Sequence, residues 1–446
     1  MADLTQGPIG KHLVQMATFI AAGMIVQTLY ILVDLYFVAH LGKDAIAGVG
    51  AAANATFLVM ALTQVLSVGT VTLISHAAGR KDRADANAVF HQSMLMSAFS
   101  AVATLVAGYG LMGAYLGTIS ADAATIDAGK VYLEWYLPGL ALQFAIVGMA
   151  AVLRGTGIVK PTMIVQSLTV LLNIILAPIL IAGWGTGHPM GVMGAGLASS
   201  ISIVIGVVVL ILYFLRLEKL VSFTSAHWAP NFSVWGRLLN IGLPAGGEFA
   251  LMFLIVSVIY GAVRQFGAEA QAGIGIGLRV MQSIFLPAMA VAFAVSPIAG
   301  QNYGAKRADR VRETFRSALV LGTIIMAALT LLCQVNPALL IRGFSSDPKV
   351  IEIGAQYLHI TSWNFVCNGI IFTCSALFQG MGNTWPALLS SGFRILTFIV
   401  PAIWLANQPW VKIEHFWYLS VTSITLQALI SYLLMRGEMR RRLAFA

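Results

Sequence analysis

Asp34 lies within "QTLYILVDLYFVAHLG" (27–42), a stretch in which it is the only charged residue. A charged side chain near the centre of a bilayer costs ~2.5–3.5 kcal/mol on insertion scales, so a carboxylate here needs a use. Gly23, Gln27, Tyr30 and Asp34 recur at spacings of four, three and four, which lines them up as one polar stripe on an otherwise apolar helix. Such a stripe is expected to face the inside of a helix bundle or a wet cavity. Burial favours the neutral form of a carboxylate. A group that is neutral in one state and charged in another carries protons; a charged one with neighbouring oxygens holds sodium. The plainer alternative is a structural aspartate hydrogen-bonded near a helix end.

Among the other ionisable residues inside apolar runs are Glu248, Arg279 and Arg394. Depth along the runs favours a Glu248–Arg394 pair, with Arg279 nearer the other side. Such a pair is either a buried structural bridge, or Glu248 is a group that attracts a cationic substrate or carries a proton. Other chemistries find little support. Cys333, Cys367 and Cys374 lie in apolar runs and suggest neither a disulfide framework nor a metal cluster. No His-Glu-x-x-His and no Walker lysine motif occurs, which points away from zinc hydrolysis and ATP. "GVGAAA" (48–53) fits a loose dinucleotide pattern, but no soluble strand precedes it. No nucleophile–base constellation emerges, and an enzyme is the least favoured class.

The elements that must position these residues follow from composition. Of the 446 residues 59% are hydrophobic and 10% charged, with a mean hydropathy of +0.85; soluble domains carry roughly 25% charged residues. Lipid must therefore be the solvent. A span needs about 20 apolar residues, and twelve such runs are predicted: 14–39, 46–75, 90–113, 129–152, 161–182, 192–215, 240–263, 272–298, 316–341, 354–377, 386–407 and 415–435. They are too long and evenly apolar for the alternating strands of a barrel. With the N-terminus inside, eighteen of the twenty-six Lys and Arg fall in inner segments and six in outer loops. The positive-inside rule then predicts both termini in the cytoplasm of a multi-pass inner (plasma) membrane protein. It also accounts for the net charge of +9 without nucleic acid. The N-terminus does not read as a removable signal peptide.

Sliding the chain against itself by 225 residues superposes "HLGKDAIAGVG" (40–50) on "QFGAEAQAGIG" (265–275), "GRKDRADANAVF" on "GAKRADRVRETF", and "RGTGIVKP" (154–161) on "QGMGNTWP" (379–386). Each unit holds six spans, an even number, so the halves are expected to be parallel repeats related by a pseudo-two-fold axis along the membrane normal. The expected division is an N-lobe over 1–215, a cytoplasmic linker over 216–239 and a C-lobe over 240–446. Two such lobes make a transporter-like arrangement with a cavity open to either side.

"VDLYFVAHLG…AIAGVG", the "RGTGIVKP" and "QGMGNTWP" loops, and "LLNIILAPILI" (171–181) followed by "GVMGAGLASSIS" (191–202) resemble the multidrug and toxic compound extrusion (MATE) family over nearly the whole chain. The resemblance implies cation-coupled efflux of small organic, often cationic compounds, with no cofactor. It is closest to the DinF-like branch, whose N-lobe cation site uses an aspartate on the first helix, an asparagine on the fifth and a hydroxyl on the sixth. Asp34, Asn173 and Ser199 match those positions, and Tyr30 matches a family tyrosine one turn before the aspartate. The branch often carries a second carboxylate four residues after the asparagine; here that position is Ala177. Sodium prefers several oxygens, some anionic, whereas a proton needs one base, so protons are favoured as coupling ion over sodium at Asp34 and Asn173. The NorM-like branch places a glutamate at the position of Met252, one turn beyond Glu248, so Glu248 departs from that pattern.

The expected protein is thus a monomeric, all-α secondary antiporter exchanging protons or sodium for amphipathic organic compounds. Rival readings are a flippase for a lipid-linked precursor, which would want a more basic cavity than Arg279 and Arg394 supply, and a non-transporting membrane scaffold or receptor, which predicts no gradient-dependent flux.

Overall fold

The structure, a computed structural model, describes residues 3–119, 122–216, 221–223 and 228–445. The side chains of 30–32, 34, 35, 53–55 and 119 lie outside the described residues. Every assigned element is helical. The first six helices are α1 (Ile9–Ala39), α2 (Lys43–Arg80), α3 (Arg83–Ile119), α4 (Ala123–Gly155), α5 (Lys160–Ile181) and α6 (Val192–Arg216). After the loop come α7 (Phe232–Val263), α8 (Ala268–Gly304), α9 (Ala308–Val335), the short α10 (Pro337–Arg342), α11 (Pro348–Thr361), α12 (Asn364–Gly380), α13 (Trp385–Arg394), α14 (Val400–Ala406) and α15 (Ile413–Arg442). Among the described residues eleven helices are long and apolar enough to cross a membrane, twelve if α11 and α12, bent by 57°, count as one span.

Two departures from straight spans matter. The run expected over 354–377 breaks at Ser362–Trp363, and α9 satisfies the backbone that the break releases. Gln334 Nε2 donates to His359 O (2.7 Å) and to Ser362 Oγ (2.7 Å), while Thr330 Oγ1 donates to Ser362 O (3.0 Å). Irregular backbone at membrane depth survives only where protein groups replace the lost helical bonds. The run 386–407 is α13 and α14 joined by a π-helical segment, Ile395–Ile399, just ahead of Pro401. Pro138, inside α4, is handled the same way. Its missing N–H frees Glu134 O, which takes a hydrogen bond from Tyr109 Oη (2.8 Å), and Ser200 Oγ accepts from Gly139 N (3.1 Å).

The repeat is visible contact by contact at the same 225-residue offset. A Cβ on Gly48 would stand 2.7 Å from Gly129 N, and one on Gly273 would stand 3.2 Å from Gly354 N. Gly155 closes on Ile74 and Val71 O as Gly380 closes on Ala299 and Ser296 O. Such approaches let helix backbones touch, which is how membrane helices associate without a hydrophobic driving force. Lys81 and Lys306 both take a left-handed conformation (φ 58° and 57°) to end α2 and α8. Asp122 caps α4 by accepting from Thr125 N (3.0 Å), and Asp347 caps α11 by accepting from Lys349 N (2.9 Å).

By packing, the chain forms two compact units: Ala22–Gly242 belongs to one, and Leu4–Ala21 with Leu243–Ala446 to the other. In the first, Tyr132, Leu133, Tyr136, Leu137, Leu140 and Phe144 of α4 form a buried stripe with Ala51 and Ala52 of α2 and Ala195 of α6. In the second, Ile274 and Ile284 of α8 pack with Tyr357 of α11, Phe365 of α12 and Trp417 of α15. The leading end of α1 is tied to the second unit. Asn302 Nδ2 and Arg310 Nη2 donate to Leu4 O (3.1 and 3.2 Å), and Leu4 N donates to Gln301 Oε1 (3.1 Å). The start of α7 belongs to the first unit. Trp235 Nε1 donates to Gln92 Oε1 (2.7 Å), and Arg237 pairs with Asp85 (2.8 Å). Each repeat's first helix therefore starts in one unit and ends in the other, a feature that the expected division at 215 and 240 did not contain.

Candidate functional site

In the first unit, α5 and α6 bring Asn173 and Ser199 together. Both are buried, and Asn173 Nδ2 donates to Ser199 Oγ at 3.2 Å. Asn173 Oδ1 is buried and has no hydrogen-bond partner among the described residues. A buried acceptor left unpaired costs about 1–3 kcal/mol, and a cation or a proton donor beside it would remove that cost. The side chains of Asp34 and Tyr30 lie outside the described residues; both stand on α1, in its last three turns.

Two turns earlier on α1 and on α5 the helices are tied together. Gln166 Nε2 donates to Gln27 Oε1 (2.9 Å), and a Cβ on Gly23 would meet Gln166 Oε1 at 2.8 Å. Residue 23 also neighbours Met163. Position thus rises on both helices together, and seven residues on from Gln27 and Gln166 come Asp34 and Asn173. The stripe read from Gly23 and Gln27 faces α5. Gln166 was missed from sequence, although a lone amide two turns before Asn173 is a visible signal.

In the second unit Glu248 is held by hydroxyls. Ser375 Oγ donates to Oε2 (2.7 Å), Ser391 Oγ donates to Oε1 (3.3 Å), and Gln427 Nε2 donates to Ser391 Oγ (3.1 Å). The expected Glu248–Arg394 pair is not formed. Arg394 Nε is buried without a partner, and its guanidinium stands 5.6 Å over the Phe398 ring instead. Arg279 is exposed and takes part in no ion pair among the described residues. Equal depth did not bring Glu248 and Arg394 together because depth carries no information about the direction a helix faces. The three serine and glutamine partners, scattered over α12, α13 and α15, had no sequence signal.

The repeat shows how the two units differ. Asn173 and Ser199 correspond at the 225-residue offset to Phe398 and Ile424, both buried and apolar. Gly23 and Gln166, in turn, correspond to Glu248 and Ser391. The first unit therefore carries its amide–hydroxyl pair at positions where the second unit has two apolar side chains, the second unit's own polar pair, Thr397 with Ser423 (2.8 Å), lying one residue earlier on each helix. Among the described residues no three His, Cys, Asp or Glu side chains gather as a metal site.

The MatE family model matches residues 20–179 and 244–404, once in each repeat. The chain belongs to the MatE family. It is 28% identical over 412 residues to a probable multidrug resistance protein NorM of Thermotoga maritima, covering 92% of this chain and 86% of that protein. It is 26% identical over 413 residues to the multidrug export protein MepA of Staphylococcus haemolyticus, covering 90% and 88%. The fold matches a crystal structure of a MATE in the bent conformation with a TM-score of 0.91 at 22% identity, covering 98% of this chain and 97% of that one. As a MatE member the protein is a membrane transporter, not an enzyme. Ala177, one turn beyond Asn173, is fully buried, so this MatE chain has a methyl group where a second carboxylate would add charge.

Proposed function

We propose that this chain is a secondary antiporter that exports amphipathic, often cationic organic compounds in exchange for protons, by alternating access. The observation that carries the reading is Asn173: a buried amide, bonded to Ser199, with an unpaired oxygen at the level that Asp34 reaches on α1. Asp34 supplies the exchangeable charge, and Asn173 and Ser199 supply neutral oxygens beside it. One carboxylate with two neutral partners suits a proton better than a dehydrated sodium ion, because Ala177 contributes no second charge.

Protonation or ionisation of Asp34 biases the conformational equilibrium, since a ligand shifts a two-state system only through its differential affinity for the two states. One proton moving down a tenfold gradient releases about 1.4 kcal/mol, enough to support a tenfold gradient of a neutral substrate. In this reading the chain works as a monomer in the plasma membrane with both termini in the cytoplasm, as the Lys and Arg distribution favours. Glu248 accepts from hydroxyls on α12 and α13 and pairs with no cation among the described residues, which supports a role in attracting cationic substrate.

The test is dye efflux from proteoliposomes with the pH and sodium gradients imposed separately. Efflux driven by the pH gradient alone is the expected result. Efflux driven only by sodium would reverse the choice of ion, and efflux indifferent to both would remove the antiport reading.

A further inference from the structure

The two repeats treat one equivalent seam differently. In the second unit the start of α1 lies against α9, and between them is a groove of about 370 Å³. Buried Leu13 floors it, half-exposed Val14 and Val320 and exposed Ile324 wall it, and Arg316 stands among its lining residues. Gly10 leaves it open: a Cβ there would meet nothing within 4 Å.

The corresponding seam of the first unit, between the start of α7 and α3, is filled. The register is fixed by burial. Ile9, Leu13 and Met16 are buried at the positions where Val234, Leu238 and Ile241 are buried, all at the 225-residue offset. Gly10 then corresponds to Trp235. That indole donates to Gln92 Oε1 (2.7 Å) and lies 6.3 Å from the Phe99 ring. Gln92 and Phe99 correspond to Ser317 and Ile324, and His91 to Arg316. The cavity of about 460 Å³ near Gln92 is lined by Ala88 and residues 229–232, on the loop side of the indole. In the second unit the indole, its amide partner and its flanking ring are replaced by a glycine, a serine and an aliphatic chain, and a cation is added.

Arg316 is exposed and takes part in no ion pair among the described residues, although Asp309 on the same helix pairs with Arg307 (3.7 Å). Glu313, one turn back, and Lys11 and Arg312 nearby are exposed too, so the charge around the mouth is net positive. An apolar groove on a membrane-facing seam, with a free guanidinium at its basic end, fits one occupant by charge and polarity.

We infer that this groove is a binding site for one anionic phospholipid, an acyl chain taking the place that Trp235 fills in the other unit and the acidic headgroup resting on Arg316. In the orientation proposed above, the lipid comes from the cytoplasmic leaflet. A Lys or Arg near the surface favours an anionic lipid by roughly fivefold.

The experiment is native mass spectrometry of the purified full chain in detergent, titrated with phosphatidylglycerol or phosphatidylethanolamine of identical acyl chains. The first phosphatidylglycerol adduct is expected about fivefold tighter than the first phosphatidylethanolamine adduct. Arg316→Gln should bring the two to the same affinity, and Gly10→Trp, which copies the first unit, should remove the first adduct of both. Arg316 is exposed on a helix surface, so its variant decides the matter even if Gly10→Trp fails to fold. Equal binding of the two lipids to the unaltered protein, an unchanged preference in Arg316→Gln, or a dimer of the chain in place of the lipid adduct would overturn the assignment. None of these outcomes depends on the coupling ion or the exported substrate.

Discussion

At the scale of single residues, the polar atoms that matter are few and each is short of a partner or over-provided with neutral ones. Asn173 carries one bond too few. Asn173→Ala removes both the free oxygen and the bond to Ser199; efflux should continue with the ratio of protons to substrate disturbed, measured as stoichiometry in vesicles. An unaltered stoichiometry would count against the site. Ala177→Asp places a carboxylate one helical turn from Asn173 and should make efflux respond to a sodium gradient, read by the dye assay with sodium alone. Glu248 is the opposite case: two serine hydroxyls donate to it and no cation pairs with it among the described residues. Glu248→Gln breaks no ion pair, so expression and melting should be close to the parent while export of cationic dyes falls more than that of neutral ones. A collapse of expression would restore the structural bridge. The sequence singled out Asp34 as a charge in a long apolar run, whereas Asn173 and Ser199 were reached only through the family resemblance. It could not orient Arg394, because depth along a span does not say which way a side chain faces.

At the scale of elements, the spans were legible by length and their irregularities were not. The break between α11 and α12 has no proline or glycine at Ser362–Trp363. It depends on Gln334 and Thr330 of a different helix, which no local pattern announces. Gln334→Ala would remove the bonds to His359 O and Ser362 Oγ, leaving His359 O with the Ser362 hydroxyl alone, and is expected to destabilise the chain by about 0.5–1.5 kcal/mol for each bond lost, seen as a lower melting temperature in detergent with the same helical content. The repairs by Tyr109 and Ser200 around Pro138 became visible only in three dimensions. Helix starts also make a pH prediction. Hydrogen bonds from the Thr125 hydroxyl and backbone N–H hold the Asp122 carboxyl below the usual carboxylate range. A depressed value means the cap is fully present above the unfolded pKa and is lost as pH falls through the lower, folded one. Amide exchange in the first turn of α4 should therefore stay protected down to pH about 4 and rise below it, and Asp122→Ala should show the raised exchange at neutral pH.

At the scale of the whole molecule, the duplication was legible in loop sequences and reappears in glycine contacts, in paired left-handed lysines and in matching aspartate caps. The exchange of leading helix ends between the two units was not, since hydropathy locates a span without saying which neighbours it packs against. The repeats share a scaffold and differ in chemistry: the first carries Asn173 and Ser199 where the second has Phe398 and Ile424, and the second carries Glu248 where the first has Gly23. Duplication fixes the fold, and in the proposed function the divergence of a handful of positions assigns ion coupling to the first half and substrate attraction to the second. The most direct measurement of that claim compares the parent chain with Asp34→Asn in proteoliposomes under an imposed pH gradient, with folding verified by an unchanged melting temperature. Gradient-driven dye efflux should be lost in the variant and present in the parent. Efflux at the parent's rate from a folded Asp34→Asn protein would contradict the account.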